Sequence, residues 1–280
     1  MRDQATELRN LVFQATRTRA ATLGPSPRIL LVAGGKRGVG ATTISVNLGI
    51  ALSDLGQRVV LIDADLRSSD VATLCGLSEG VTIADVMKSQ KNIHEALQPG
   101  PAGMLIVPGC WASSQQAGFT EQEQSRLISQ CLALGRHADI VLVDAGCGAS
   151  KMLRHFWPHA DEAILITTTE PVSVMDAYAT VKAIANSTDH KIRIRSVVNK
   201  TVTSAEHQDI HRRLDHSCQR FLGVHLEQLG HVPTDGSLQD SNRFGDPLEH
   251  AQIPGAVSRA VEQLATQLIR TAAKPSRAAA

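Results

Sequence analysis

Apolar residues in this chain gather in short continuous runs, and most runs are followed by a stretch with helical spacing. The first run is Arg28-Ile-Leu-Leu-Val-Ala, and Thr42 to Leu55 follows it with a helical pattern. Gln57-Arg-Val-Val-Leu-Ile-Asp-Ala-Asp then passes from polar to continuously apolar. Further strand candidates are Met104 to Pro108, Ile140 to Asp144, Ala163 to Thr168, Ile192 to Asn199 and Gln228 to Val232. Continuous apolar strands suit a parallel sheet covered on both faces. The alternation predicts an α/β fold: one domain, a mostly parallel twisted sheet with helices on both faces, and ligands at the carboxyl ends of the strands.

The ends of the chain read differently. Residues 2 to about 19 have helical spacing, with Ala5, Leu8, Leu11 and Val12 sharing a face, and Gly24-Pro-Ser-Pro separates them from the first strand. Such a tethered helix is either a docking peptide or a helix packed on the sheet, and its position favours neither. The last helical stretch places Val261, Leu264, Leu268 and Ile269 on one stripe, as a core-docking helix does. The expected organisation is an N-terminal helix at 1–20, a linker at 21–27, a domain at 28–271 and a disordered tail at 272–280.

Composition narrows the setting. A net charge of +1 gives no general electrostatic reason to expect nucleic acid. The five cysteines, Cys75, Cys110, Cys131, Cys147 and Cys218, are odd in number and include no C-x-x-C pair, so reduced thiols are expected. No run approaches the roughly 20 apolar residues of a membrane span, and Ala272 to Ala280 lacks the bulky apolar residues of an amphipathic anchor. The expected location is the cytoplasm, with any approach to a membrane or cell pole depending on a partner.

The chemistry begins at Gly35-Lys-Arg-Gly-Val-Gly-Ala-Thr-Thr43. A phosphate-binding loop reads G-x-x-x-x-G-K-[ST], its glycines letting consecutive N–H groups curl around phosphate oxygens at a helix start. Gly35 and Gly40 hold their places and Thr42 stands where a hydroxyl meets Mg²⁺, but Ala41 replaces the phosphate-gripping lysine. A purely structural glycine turn is the bland alternative. It loses ground because Asp144 ends an apolar run and precedes Ala-Gly-Cys-Gly, matching a metal-ordering carboxylate followed by a glycine, Gly146, whose N–H can approach a γ-phosphate. Asp63-Ala-Asp65 closes another apolar run. Alternate strand residues point the same way, so both carboxylates are expected at the phosphate end, where like charges call for a cation.

Together, the loop with its early Lys36, Asp63-Ala-Asp65, Asp144-Ala-Gly-Cys-Gly, Asp176-Ala-Tyr and Val198-Asn199-Lys resemble the MinD/ParA deviant-Walker ATPases over about residues 28 to 270. Within that group Asp3-Gln-Ala-x-x-Leu-Arg9 is similar to the activator element of FlhG/FleN-type flagellar regulators, which stimulate the FlhF GTPase. The resemblance implies an ATP/ADP site with Mg²⁺, built on Gly35, Lys36, Arg37, Gly38, Val39, Gly40, Ala41, Thr42 and Thr43. Lys36 matches the lysine that reaches the partner's phosphates across a nucleotide-sandwich homodimer. Thr42 matches a Mg²⁺ ligand, supported by Asp63 and Asp144, and Thr43 an α-phosphate contact. Asp65 matches the residue that positions the attacking water, Gly146 the switch glycine, Asn199 the side chain that reads adenine, and Pro233 lies in the segment that packs on the base. Asp3, Gln4, Ala5, Leu8 and Arg9 would meet an FlhF-like GTPase, with Gln4 orienting a water in trans.

Two departures matter. Ala41 removes a cation from the phosphates, and Arg37 takes a place the family usually gives to glycine. A charge-assisted hydrogen bond contributes roughly 1.5–3 kcal/mol, so binding should weaken by about one to two decades without being abolished. Turnover should suffer more, by ~10²–10³, unless Arg37 folds onto the phosphates. The alternatives are a nucleotide-independent pseudo-ATPase scaffold and a ParA-like chromosome or plasmid partitioner, the latter disfavoured by the near-neutral charge. A kinase is set aside because Tyr178 is the chain's only tyrosine, and Cys110 and Cys147 do not fall on an iron–sulfur pattern. His207 and His211 are read as a solvated helical face, and Trp111 and Trp157 as packing residues.

Overall fold

The computed structural model describes residues 26–67, 70–110, 119–186, 192–234 and 255–272. The expected N-terminal helix with Asp3, Gln4, Ala5, Leu8 and Arg9, most of the linker, Trp111 and nearly all of the tail lie outside the described residues. In chain order the elements are β1 (Arg28–Gly34), α1 (Ala41–Asp54), β2 (Val59–Asp63), α2 (Asp70–Leu74), α3 (Ile83–Met87), α4 (Ile93–Ala96), β3 (Gln98–Pro99) and β4 (Leu105–Val107). There follow α5 (Glu121–Leu132), β5 (Ile140–Cys147), α6 (Lys151–Phe156), β6 (Glu162–Thr168), α7 (Pro171–Ala185), β7 (Arg193–Thr201), α8 (Ser204–Leu222), β8 (Leu226–Pro233) and α9 (Ala256–Ala272).

The strands form one sheet in the order β3-β4-β2-β5-β1-β6-β7-β8. Every pairing is parallel except β3 with β4. The two-residue β3 has no apolar run of its own, so the sequence pattern does not reveal it. The pleat sends Leu30, Val32, Leu61 and Leu142 to the face covered by α1 and α9, and Ile29, Leu31, Ile62 and Val143 to the face covered by α3, α5, α6 and α7. Burial on both faces is why these strands read as unbroken apolar runs.

The α9 stripe docks as its spacing predicts: Val261, Leu264 and Leu268 are buried and Ile269 packs beside them. Trp157 is buried in the opposite layer. Expecting a solvated face at His207 needs correction. α8 turns that stripe toward β7 and β8, where the His207 ring stacks on His231 at 3.9 Å and 8° and His211 Nδ1 lies 2.7 Å from Ser196 Oγ. The stripe shows helical spacing but carries histidines, so polarity disguised a buried face. Among the described residues no helix is long and apolar enough to cross a membrane.

Candidate functional site

β1 lies between β5 and β6, so its carboxyl end opens where the order of connection reverses, the place open α/β sheets use for ligands. Gly38 (φ 81) and Gly40 (φ 88) hold left-handed conformations in the turn from β1 to α1. Gly40 is also the N-cap of α1 and supplies no side-chain cap hydrogen bond. The first-turn N–H groups are therefore left for a ligand, and the positive end of α1 favours an anion there. Gly35 serves packing: a Cβ on it would sit 2.5 Å from Ala177 N in α7.

Above the loop is a cleft of about 600 Å³, within the usual size of a small-molecule site. Lys36, Arg37, Gly38, Gly40, Ala41, Thr42, Thr43, Asp65, Gly146, Asn199 and Pro233 all line it. Val39 is buried beneath the loop. Arg37 is exposed, whereas Lys200 bonds back onto the loop: its Nζ donates to Gly38 O at 2.8 Å. Asn199 Nδ2 donates to Val39 O at 2.8 Å, and a Cβ on Gly40 would stand 2.5 Å from that amide nitrogen. The end of β7 thus holds the loop from one side.

The carboxylates sit under the opposite end. Asp63 and Asp144 are register partners on adjacent strands and are 1% and 0% exposed. Burial, and next the charge of Asp144, pushes Asp63 well above the ordinary carboxylate range. Burial raises Asp144 to about 6, against the pull of hydrogen bonds from the Thr42 hydroxyl and the Gly146 N–H. One oxygen of each, Oδ2, is buried without a hydrogen-bond partner. Two buried carboxyl oxygens without partners, beside a threonine hydroxyl, fit a hard divalent cation such as Mg²⁺, whose charge would offset the cost of ionising them. Among the described residues no cluster of three or more His, Cys, Asp or Glu side chains forms a metal cage.

Asp65 departs from the expected strand alternation. β2 ends at Asp63, and Asp65 lies beyond the strand, its own N–H donating to Asp63 Oδ1 at 3.2 Å. Its carboxylate still reaches the switch, because it packs where a Cβ on Gly146 would be. Arg67 grips it through Nε–Oδ1 at 3.0 Å and also donates to Cys147 O at 3.0 Å. Lys36 is likewise engaged, 2.6 Å from Glu170 Oε2, and that hydrogen bond, with the Lys36 charge, holds Glu170 below its ordinary range.

Glu170, Arg67 and Lys200 are the functional neighbours that sequence reasoning missed. Lys200 adjoins Asn199 and Arg67 stands two residues after Asp65, so proximity was the available signal. Glu170 lies 134 residues from Lys36, a pairing that only the β1–β6 contact creates.

A glycine loop between a central parallel strand and a helix, with buried carboxylates at neighbouring strand ends, defines a P-loop nucleotide-binding protein. Residues 26–269 match the family described as ParA: NUBPL iron-transfer P-loop NTPase. The antiactivator FleN of Pseudomonas aeruginosa is 34% identical over 213 residues, 76% of this chain and 75% of FleN. The septum site-determining protein MinD of Synechocystis is 32% identical over 240 residues, 81% of this chain and 85% of MinD. Among solved structures, MinD with Mg-ADP from Pyrococcus horikoshii superposes with TM-score 0.71 at 21% identity, covering 88% of this chain and 97% of that one. The MinC:MinD complex of Aquifex aeolicus gives 0.69 at 24%, covering 87% and 96%. The chain belongs to the MinD/ParA family of P-loop NTPases.

Proposed function

We propose that this protein is a FlhG/FleN-like regulator of flagellar placement or number that binds ATP weakly and hydrolyses it very slowly or not at all. The observation that carries the reading is a phosphate cradle complete but for one cation. The open start of α1, Thr42 and the partnerless oxygens of Asp63 and Asp144 are in place, while position 41 is an alanine. A Mg²⁺ ion held there would supply neutralisation of phosphate charge. Thr42 and the two aspartates would hold the cation and its water shell, the loop N–H groups would hold the phosphates, and Asn199 and Pro233 would receive the base. Asp65 would position a water once Arg67 releases it, and Lys36 would reach a second copy once it leaves Glu170.

The 34% identity to FleN over three quarters of both chains supports the flagellar assignment. On this reading Asp3, Gln4, Ala5, Leu8 and Arg9 engage an FlhF-like GTPase, and such a partner brings a cytoplasmic protein to the membrane or pole. Deleting residues 1–20 should abolish stimulation of that GTPase and leave the domain folded; full stimulation by the truncated protein refutes the assignment. Wild-type ATP turnover equal to that of Ala41→Lys would refute the impaired-hydrolysis part.

A nucleotide-independent scaffold is the second reading, favoured by the ion pairs that occupy both Lys36 and Asp65. Titration calorimetry with Mg²⁺ and ATP separates the two: absence of heat at millimolar nucleotide supports the scaffold.

A further inference from the structure

We propose that Lys200 is the cation this chain offers to nucleotide phosphates in place of the lysine absent at position 41. The assignment rests on the nucleotide-binding reading above. It begins with an irregularity in the sheet. Pairing of β7 with β8 shifts register between Asn199 and Thr201, and Lys200, between them, has φ 58. On a regular strand, residues 199 and 200 would point to opposite faces. The extra residue and its left-handed backbone bring both side chains to the loop instead, Asn199 onto Val39 O and Lys200 onto Gly38 O.

Glycine is the residue such a left-handed bulge favours. A lysine held there is backbone strain at a ligand cleft, where strain tends to have a use. Lys200 lines that cleft together with Ala41 and Thr42. A loop carbonyl is a suitable resting partner for an ammonium when no phosphate is bound, and the bond is exposed. The four-carbon stem has the freedom to exchange this carbonyl for a phosphate oxygen. The other lysine of the loop region, Lys36, is held by Glu170, and Arg37 is exposed, whereas Lys200 is already placed on the loop's main chain.

A purely structural role, in which Lys200 only shapes the loop whose N–H groups would hold the phosphates, predicts a loss of ATP affinity that a new lysine at position 41 does not repair. A phosphate contact predicts losses that grow with phosphate number. The test is displacement of a fluorescent ATP analogue from the full-length protein by ATP, ADP and AMP, with Mg²⁺, for wild type, Lys200→Gly and Lys200→Arg. Glycine accepts the left-handed backbone, so the variant keeps the bulge while losing the ammonium, and a thermal melt checks that it folds. Lys200→Gly should weaken ATP about ten- to hundred-fold, ADP less and AMP least. Lys200→Arg should retain most of the affinity, and Ala41→Lys should restore ATP binding to Lys200→Gly. Unchanged ATP affinity in Lys200→Gly, an equal loss for all three nucleotides, or failure of Ala41→Lys to restore ATP binding to Lys200→Gly overturns the proposal while leaving nucleotide binding intact. A wild-type protein that binds no nucleotide overturns the parent reading, and the proposal with it.

Discussion

Replacing Asp144 by asparagine should make the metal-free protein more stable, although it damages the site. Asp144 is 0% exposed, and its pKa rises from 3.8 to about 6. Roughly two units of displacement correspond to about 3 kcal/mol by which the fold disfavours the ionised form. Asparagine removes that charge yet still offers an oxygen to the Gly146 N–H, which Asp144 Oδ1 accepts at 3.1 Å. Its amide can donate to Asp63 Oδ2, which now has no partner. Allowing for imperfect geometry, a gain of about 2 kcal/mol is expected, or a melting temperature higher by ~4–8 °C.

The pH dependence fixes the sign. A carboxyl with a raised folded pKa favours folding most when protonated, so its penalty is absent below about pH 4 and complete above about pH 6. The advantage of Asp144→Asn over wild type should follow the same course in chelator-treated samples. The assay is urea unfolding of both proteins with EDTA across that range. An Asp144→Asn protein no more stable than wild type above about pH 6 refutes the reasoning, as does an advantage that persists unchanged at pH 4. Mg²⁺ with ATP should raise the wild-type melting temperature and have less effect on the variant.

Three other perturbations probe separate parts of the molecule. Glu162, 2% exposed, ties Arg28 at 2.6 Å to Arg195 at 2.9 Å; Glu162→Ala leaves two guanidinium groups short of a partner and should cost about 3–5 kcal/mol in urea unfolding. Burial lowers the pKa of His207 and of His211, with His231 adding to the effect at His207. The unfolded chain therefore binds protons more readily, and stability should fall as pH drops below about 6.5; His207→Gln should flatten that slope, and an unchanged slope refutes the assignment. Arg67→Ala, made in an Ala41→Lys background, should free Asp65 and raise ATP turnover several-fold in a phosphate-release assay; unchanged or lower turnover would mean that the ion pair does not restrain Asp65.

Much of the fold was legible because a parallel sheet buried on both faces leaves its strands as apolar runs in the one-dimensional pattern. The runs around Leu30, Leu61 and Leu142 locate the central strands to within a few residues. β3 was illegible because a two-residue edge strand, Gln98–Pro99, needs no periodicity and takes its pairing from β4. His207 was misplaced for the opposite reason, since its helical stripe was visible but its polarity suggested water. In the candidate site, the glycine spacing and the strand-end aspartates were readable because they are local. The partners of Lys36 and of the loop carbonyls were not, because they depend on how β6 and β7 meet around β1, whereas Arg67 lies only two residues from Asp65 and offered a local signal that went unread.

Those tertiary partners alter what Ala41 means. Read along the chain, the substitution removes a cation and leaves acidic groups behind. In the folded protein the same end of the sheet holds Lys36, Arg67 and Lys200, each bonded to a protein oxygen. The electrostatic deficit at position 41 is thus local, and cations within the same region are held in reserve by Glu170, Asp65 and Gly38 O. On the proposed reading an incoming polyphosphate would have to compete with those three acceptors, and breaking these contacts would offset part of its attraction. Hydrolysis faces a stricter condition, because a transition state needs donors already fixed in place. A site whose cations must first be released can respond to nucleotide level more readily than it can turn nucleotide over, which is the property a regulator requires.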